Sequence, residues 1–403
     1  MAMTKELRLT ETQGRGRSLE AAQPLKGGQI ILRDSPILLY SALPLLTPSP
    51  PPYCDHCFKT LNPHTPISLC PSCSHHRLCS PNCLSAALSS SHTPWVCHSL
   101  AKLRNCPSPL SAHPADRQVQ ARFLIAAYNL AAVSPSSFQL LLSLQGEPQD
   151  SAEAQFLHSL ISTLCPPPQL FSLELTAALL VKEKLNAFGL MEPPSETGVR
   201  SSRAYGIYPK ASFFNHDCLP NACRFDYLDE GTTEITVRMI HDVPEGREIC
   251  LSYFPVNEPY SRRQRTLAED YGFVCQCDRC KVEANWSDNE EVEEEAGSAE
   301  GMDEDQDQEM GGDSEPEGGS GSDIQAEAQG EADFPHAYFF VRFMCSRTNC
   351  WGTLAPLPPK DDGTSSDAME CNVCGSIKKD EEISGKYHNA NKQNNTHMWI
   401  KVI

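Results

Sequence analysis

The residues best suited to chemistry in this chain are its cysteines. Nineteen stand among 403 residues, and fifteen of them, with one histidine, fall into groups whose spacing suits metal ligation. Residues 54–97 hold Cys54-x2-Cys57, Cys70-x2-Cys73, Cys79-x3-Cys83 and His92-x4-Cys97. A short hook lets two thiolates reach one zinc ion at about 2.3 Å, and eight such ligands suffice for two tetrahedral ions. We expect them to interleave, with Cys54, Cys57, Cys79 and Cys83 on one ion and Cys70, Cys73, His92 and Cys97 on the other. A segment this short has little core, so metal would supply much of its folding energy. A second group, Cys275-x-Cys277-x2-Cys280, lacks a fourth ligand, and Cys218 is the best candidate to close its tetrahedron. A third group, Cys345-x4-Cys350 with Cys371-x2-Cys374, reads as a zinc ribbon. Four zinc ions are expected in all. Cys106, Cys165, Cys223 and Cys250 have no partner spacing and are expected to be buried small hydrophobes. No Cys–His pairing supports a thiol nucleophile.

The elements that position these groups change along the chain. Residues 4–45 read as short strands at Leu7 and Leu9, Gln29–Ile31 and Pro36–Tyr40, with turns at Gly14, Gly16, Pro24, Gly27 and Gly28. From about 116 to 188 the period becomes helical, as in Val119, Phe123, Leu124, Ala127, Leu130 and Ala131. Phe156–Leu164 and Leu173–Leu185 repeat the pattern, and all three are expected to be core-facing helices. Strands return at Arg224–Leu228 and Glu234–Ile240 around an Asp229-Glu230-Gly231 turn, and again at Glu248–Tyr253.

The net charge of −19 belongs to one segment. Between Ser287 and Asp333 stand 19 acidic residues and no Lys or Arg, and the rest of the chain balances 33 acidic against 33 basic. That run should be disordered, since it cannot bury enough apolar surface to offset its ordering entropy. The balance elsewhere argues against direct nucleic-acid binding. No stretch approaches a membrane span, and the charged start at Met1–Thr12 argues against a secretory signal. So many cysteines then point to metal in a reducing compartment rather than to disulfides.

Taken in order, Gly14-Arg15-Gly16, Cys54–Cys97, Asn215-His216-Asp217-Cys218, Glu248–Tyr253 and Cys275–Cys280 resemble the SET-and-MYND family of protein lysine methyltransferases. The resemblance covers roughly residues 4–285, and the acidic run and terminal ribbon suggest its plant ASH-related branch. It implies a mostly β SET domain at 4–257 with a helical insert, split by a MYND zinc finger at 54–97. A post-SET segment at 258–285, a disordered acidic linker at 286–333 and a ribbon-like segment at 334–403 would follow. A RING-type module also interleaves two zinc sites, but would not be expected between these flanks.

The resemblance further implies S-adenosyl-L-methionine (AdoMet) as cofactor. The backbone of Gly14, Arg15 and Gly16 would approach its methionine part, and Asn186 would be a further contact. Asn215 and His216 would bind near the adenine, and Phe273 would stack on it. Phe188, Tyr253 and Tyr271 would line the substrate channel, with Tyr253 matching the family's catalytic tyrosine and also touching the cofactor. Asp217 stands where the family has serine, which adds a charge beside the pocket. The implied partners are a histone or other protein carrying the target lysine, and a Pro-rich peptide at the finger, in nucleus and cytoplasm. Two other readings stay open. One is a zinc-organised adaptor or transcriptional co-regulator with an inactive SET core. The other is a chromatin factor whose acidic run binds basic tails.

Overall fold

The computed structural model describes residues 3–285 and 337–379, apart from 13, 48–50, 150, 168, 170, 194–200, 361–363 and 365. The acidic run expected to be disordered lies outside the described residues. The chain opens with the hairpin of β1 (Leu7–Thr12) and β2 (Gly16–Ala21), Leu7 opposite Ala21 and Thr12 opposite Gly16. Its tip needs a left-handed backbone at Gly14 (φ 78°) and Gly16 (φ 69°), which glycine adopts without steric cost. Next come β3 (Ile30–Asp34) and β4 (Leu38–Ser41), then the cysteine-rich finger with β5 (Ser68–Leu69), β6 (Arg77–Leu78) and α1 (Pro81–Ser89).

Six helices follow: α2 (Pro94–Asn105), α3 (Ser108–Ser111), α4 (Ala115–Val133), α5 (Pro135–Ser143), α6 (Ala152–Leu164) and α7 (Leu173–Asn186). The apolar period of α4 does what it predicts, burying Val119, Phe123, Leu124, Ala127 and Leu130 in a cluster shared with α6, α7 and β4. A polar contact inside it, Tyr128 Oη to Thr176 Oγ1 at 2.7 Å, joins α4 to α7.

The chain then returns to strands, β7 (Ala187–Met191), β8 (Ser202–Ile207), β9 (Asn215–His216), β10 (Ala222–Asp226), β11 (Ile235–Met239) and β12 (Cys250–Leu251). Two three-stranded sheets result, in the orders β4-β8-β7 and β10-β11-β3, with β9 lying parallel to β12. Their apolar faces meet around Leu19, Ile31, Tyr208, Phe214, Val237 and Ile249. Two helices, α8 (Tyr260–Tyr271) and α9 (Asp278–Glu283), close this part. The last described segment comprises α10 (Ala337–Phe343), β13 (Leu354–Pro356), β14 (Ala368–Cys371) and β15 (Ile377–Lys379), the three strands forming one antiparallel sheet.

Several expectations shift. The helical region begins at Pro94, where Thr93 caps α2 by accepting Val96 N–H, and Ala187 onward is strand rather than helix. The turn at Asp229-Glu230-Gly231 is a short 3-10 helix, Leu228–Glu230, ended by a left-handed Gly231. The strand read at Glu248–Tyr253 shrinks to Cys250–Leu251, because only those residues pair with β9. Cys106 is exposed rather than buried, since it caps the end of α2 beyond the helix's last packed turn, whereas Cys165, Cys223 and Cys250 are buried.

The terminal ribbon is docked rather than tethered. Its Glu370 accepts from Arg238 Nη2 of β11 at 2.8 Å and from Tyr227 Oη, and Asn372 Nδ2 donates to Arg224 O of β10 at 3.2 Å. The approach is so close at Gly28 that a Cβ there would stand 2.3 Å from Leu357 O.

Candidate functional site

The four ligand sets come together in space. Cys54, Cys57, Cys79 and Cys83 converge, as do Cys70, Cys73, His92 and Cys97, and Cys345, Cys350, Cys371 and Cys374. Cys218 meets Cys275, Cys277 and Cys280 across the chain, in the fourth set. Within each set the ligand atoms lie within 4.8 Å of one another. The sulfurs stand 3.4 Å apart at Cys79–Cys83, 3.6 Å at Cys350–Cys371 and 3.9 Å at Cys70–Cys97 and Cys218–Cys275. A zinc tetrahedron with Zn–S of about 2.3 Å has edges of ~3.8 Å, whereas a disulfide holds its sulfurs at ~2.05 Å. The donor sets therefore fit zinc. His92 Nε2 lies 3.5 Å from Cys73 Sγ, and its ring stacks on that of His76 at 3.6 Å.

A second concentration of polar groups lies where the hairpin tip crosses β9 and β12. Arg15 pairs with Glu248 at 2.9 Å and donates through Nη2 to His216 O at 3.0 Å. The other Glu248 oxygen accepts Asn215 Nδ2 at 2.9 Å, so one carboxylate ties the hairpin to β9. Asn221 braces the β12 side of this junction, donating to Glu248 O at 2.8 Å and accepting Cys250 N–H at 2.9 Å. Among the described residues, chain neighbours aside, no heavy atom lies within 4 Å of where a Cβ would stand on Gly14 or Gly16, so the backbone there is open to close approach.

His216 links this corner to an aromatic group. Its Nδ1 accepts the Tyr253 N–H at 3.1 Å, which places the ring proton on Nε2, 3.3 Å from Cys218 Sγ. Burial lowers its pKa to about 3, so the ring is neutral at pH 7. Tyr253 packs against His216 and against Tyr271, with ring centroids 5.2 and 4.7 Å apart. Its hydroxyl donates to Phe214 O at 3.0 Å, and burial raises its pKa above the ordinary 10. Phe273 follows the left-handed Gly272 that ends α8, 6.4 Å from His216 and 39% exposed, leaving much of its surface free. Asp217 accepts Leu219 N–H at 2.9 Å and so shapes the turn carrying Cys218.

The remaining expected residues sit at the edge of this group. Asn186, buried at the end of α7, donates to Gln145 O and Lys182 O, both at 2.8 Å. The loop it holds is tied back to the hairpin, since Arg17 donates to Ser143 O while lying over the Phe213 ring at 4.8 Å. Phe188 lies on β7 edge-on to Tyr208, at 5.8 Å, with the Arg224 guanidinium 5.4 Å from its ring. Among the described residues no ring contact joins Phe188 to the Tyr253–Tyr271 pair. Sequence reasoning missed Glu248 as the link between Arg15 and Asn215. It also missed Arg263, Arg279 and Glu283, a buried ionic group behind Cys280. Only Arg279 and Glu283, placed one helical turn apart beside Cys280, could have hinted at the latter.

These paired short sheets, with a glycine hairpin folded onto an Asn-His strand, are matched by a SET-domain profile over residues 16–254. The chain is 60% identical over 391 residues to an Arabidopsis thaliana protein named histone-lysine N-methyltransferase ASHR2, covering 93% of this chain and 96% of that one. Human histone-lysine N-methyltransferase SMYD3 is 24% identical over 290 residues, covering 68% of this chain and 60% of that one. The solved SET domain of LSMT bound to lysine and AdoHcy aligns with 68% of this chain and 54% of that one. At 13% identity and a TM-score of 0.32, that likeness carries no weight. The chain belongs to the SET-domain family, on its SET-and-MYND, ASH-related branch.

Proposed function

We propose that the protein is an AdoMet-dependent protein-lysine N-methyltransferase acting on histone or other protein lysines. The observation that carries this reading is the Glu248 junction. It draws Arg15 of the open glycine hairpin and Asn215 together beside a neutral His216 and a half-buried tyrosine pair. A relative named as a histone-lysine methyltransferase, 60% identical over nearly the whole chain, supports the same class.

Gly14, Arg15, Gly16, Asn186, Asn215, His216, Tyr253 and Phe273 are the residues that would hold AdoMet. The clear space over Gly14 and Gly16 suits a ligand against main chain, and the half-exposed Phe273 ring offers a face for a purine. When bound, AdoMet supplies an electrophilic methyl group for in-line displacement by a lysine amine.

The chain's own task is to deliver that amine neutral and aligned. With a lysine pKa near 10.4, roughly one side chain in a thousand is neutral at pH 7.4. An aromatic channel of Phe188, Tyr253 and Tyr271 would desolvate the ammonium and favour deprotonation, while its walls hold the stem. Tyr253 is poorly suited to act as the base, because burial keeps its hydroxyl protonated. Its proton is engaged by Phe214 O, so its oxygen lone pairs are the groups that can orient the amine or the polarised methyl. Catalysis would then rest on proximity and orientation. The finger would serve protein interaction, including Pro-rich peptides, and the four ligand sets would hold four zinc ions, in a protein of nucleus and cytoplasm.

The test is transfer of a radiolabelled methyl group from AdoMet to a panel of core histones and lysine peptides, with products assigned by mass spectrometry. Incorporation at lysine that Tyr253→Phe depresses supports the proposal. AdoMet binding without transfer to any lysine contradicts it.

A further inference from the structure

Arg224 is an arginine whose place neither metal binding nor the cofactor corner explains. It stands on β10, yet its side chain leaves that sheet and crosses to the other one. Nη2 donates to Gly189 O at 2.8 Å, and the guanidinium lies 5.4 Å from the Phe188 ring. β7 is the outer strand of its sheet, paired on one side with β8. Arg224 therefore holds its other side at the two residues Phe188 and Gly189. Nη1 is buried and finds no acceptor among the described residues. Among the described residues the guanidinium is thus kept here by the ring and one carbonyl, with no acidic partner.

The backbone of the same residue is gripped by the ribbon. Arg224 O accepts Asn372 Nδ2, and Asn372 lies between the ligand-set cysteines Cys371 and Cys374. Asn372 is itself fixed, because its Oδ1 accepts Thr353 N–H at 2.8 Å and its own N–H donates to Thr353 O at 3.0 Å. Two residues before Asn372, Glu370 clamps Arg238 on β11, opposite Cys223 in the β10–β11 register. The ribbon's cysteine hook thus sets β10 at the point from which Arg224 reaches Phe188.

We propose that Arg224 is a positioning residue for the Phe188 wall of the lysine channel, and that the terminal ribbon, through Asn372, holds Arg224 in place. The ribbon is then a remote determinant of turnover and of how many methyl groups are added. This rests on the methyltransferase reading and on Phe188 as a channel wall. A wall freed to move misaligns amine and methyl, which acts on kcat, and widens the space available to an already methylated lysine. AdoMet affinity does not depend on it.

The experiment compares full-length, zinc-replete wild type with Arg224→Ala, Arg224→Lys and Asn372→Ala. Three quantities are read: hydrogen exchange of residues 187–191, AdoMet affinity by calorimetry, and kcat with the ratio of mono-, di- and trimethylated product. In Arg224→Ala, exchange at 187–191 should rise while the β1–β2 hairpin stays protected. Its kcat should fall about tenfold, with more of the higher methylated products and an unchanged AdoMet Kd. Arg224→Lys should recover part of the loss, since an ammonium keeps one donor but not the guanidinium over the ring. Asn372→Ala should move every readout in the same direction by less. Should Arg224→Ala fail to fold, the other two variants carry the test. Wild-type exchange at 187–191, an unchanged product ratio, or a rise in exchange spread evenly over both sheets would each overturn the proposal. If the wild type methylates no lysine, the methyltransferase reading fails separately, and the exchange arm alone decides whether Arg224 holds Phe188.

Discussion

The chain carries two cysteine-rich modules beside its SET strands, and different physics attaches each. The finger at 54–97 keeps an apolar centre of its own in Cys54, Leu61, Leu78 and Ala87. It meets the strands through Phe58 and through a polar clasp. Arg203 donates to Phe58 O at 3.1 Å and pairs twice with Asp229 at 3.0 Å, and Asp229 accepts Thr60 N–H at 2.8 Å. The ribbon has no such separation. Cys345, Cys350, Leu354, Met369 and Cys371 share one buried cluster with Cys223, Phe225, Ile240 and Val256. Metal in the finger would organise the finger, whereas metal in the ribbon would also complete the core on which β10 and β11 rest.

The largest effect that could break this comparison comes from removing one ligand in each module. Cys371→Ala should destabilise the SET strands as well as the ribbon, by on the order of 5 kcal/mol, a part of the ~10–16 kcal/mol a structural zinc contributes. Cys54→Ala should unfold residues 54–97 and leave AdoMet binding in place. Hydrogen exchange by mass spectrometry separates the two, and equal loss of protection over β10 and β11 in both variants would erase the distinction.

The clasps should differ in the same sense. Arg238→Ala strands Glu370, whose side chain is 13% exposed against 3% for Arg238, and should cost about 3–5 kcal/mol in denaturant unfolding. Arg203→Ala leaves Asp229, which is 45% exposed and can rehydrate, so about 1–2 kcal/mol is expected. A reversed order would show that the finger's clasp is the stronger.

Between the modules, Tyr253→Phe should lower turnover about 10- to 100-fold with AdoMet affinity nearly unchanged, as loss of an aligning group predicts. A parallel collapse of cofactor binding would make Tyr253 a packing residue. The last test concerns pH. Turnover should rise by up to about tenfold per unit between pH 7 and 9 as the lysine amine becomes neutral. Tyr253 should add no falling limb there, because its raised pKa keeps it protonated across that window. A falling limb below pH 9 that vanishes in Tyr253→Phe would show that this hydroxyl ionises.

What the sequence made legible follows a physical line. Cysteine hooks are local, so their spacing carried the ligand sets, and the four-coordination of zinc called for one more ligand, for which Cys218, far away in sequence, was the best candidate. The period of α4 likewise announced its buried face. Contacts between distant side chains left no such trace. Glu248 looks like any charge at a strand start until β9 lies beside β12 and Arg15 comes over from the first hairpin. Arg224 looks like an outward residue on a strand, and its reach to Phe188 depends on how two sheets meet. The docking of the ribbon was illegible for the same reason, since Glu370 and Asn372 gain partners only when the sheet is set against β10 and β11. Cys106 misled because an unpaired cysteine is buried by habit, and only the end of α2 shows that it faces water.

The central claim is that the hairpin tip, β9 and the aromatic group form one AdoMet pocket. Calorimetric titration of AdoMet into zinc-replete protein, beside Asn215→Ala, tests it most directly. The account predicts saturable binding with one ligand per chain, lost in a variant whose fold and metal content are intact. Absence of binding by folded, metal-loaded wild type, or full binding by Asn215→Ala, would contradict it.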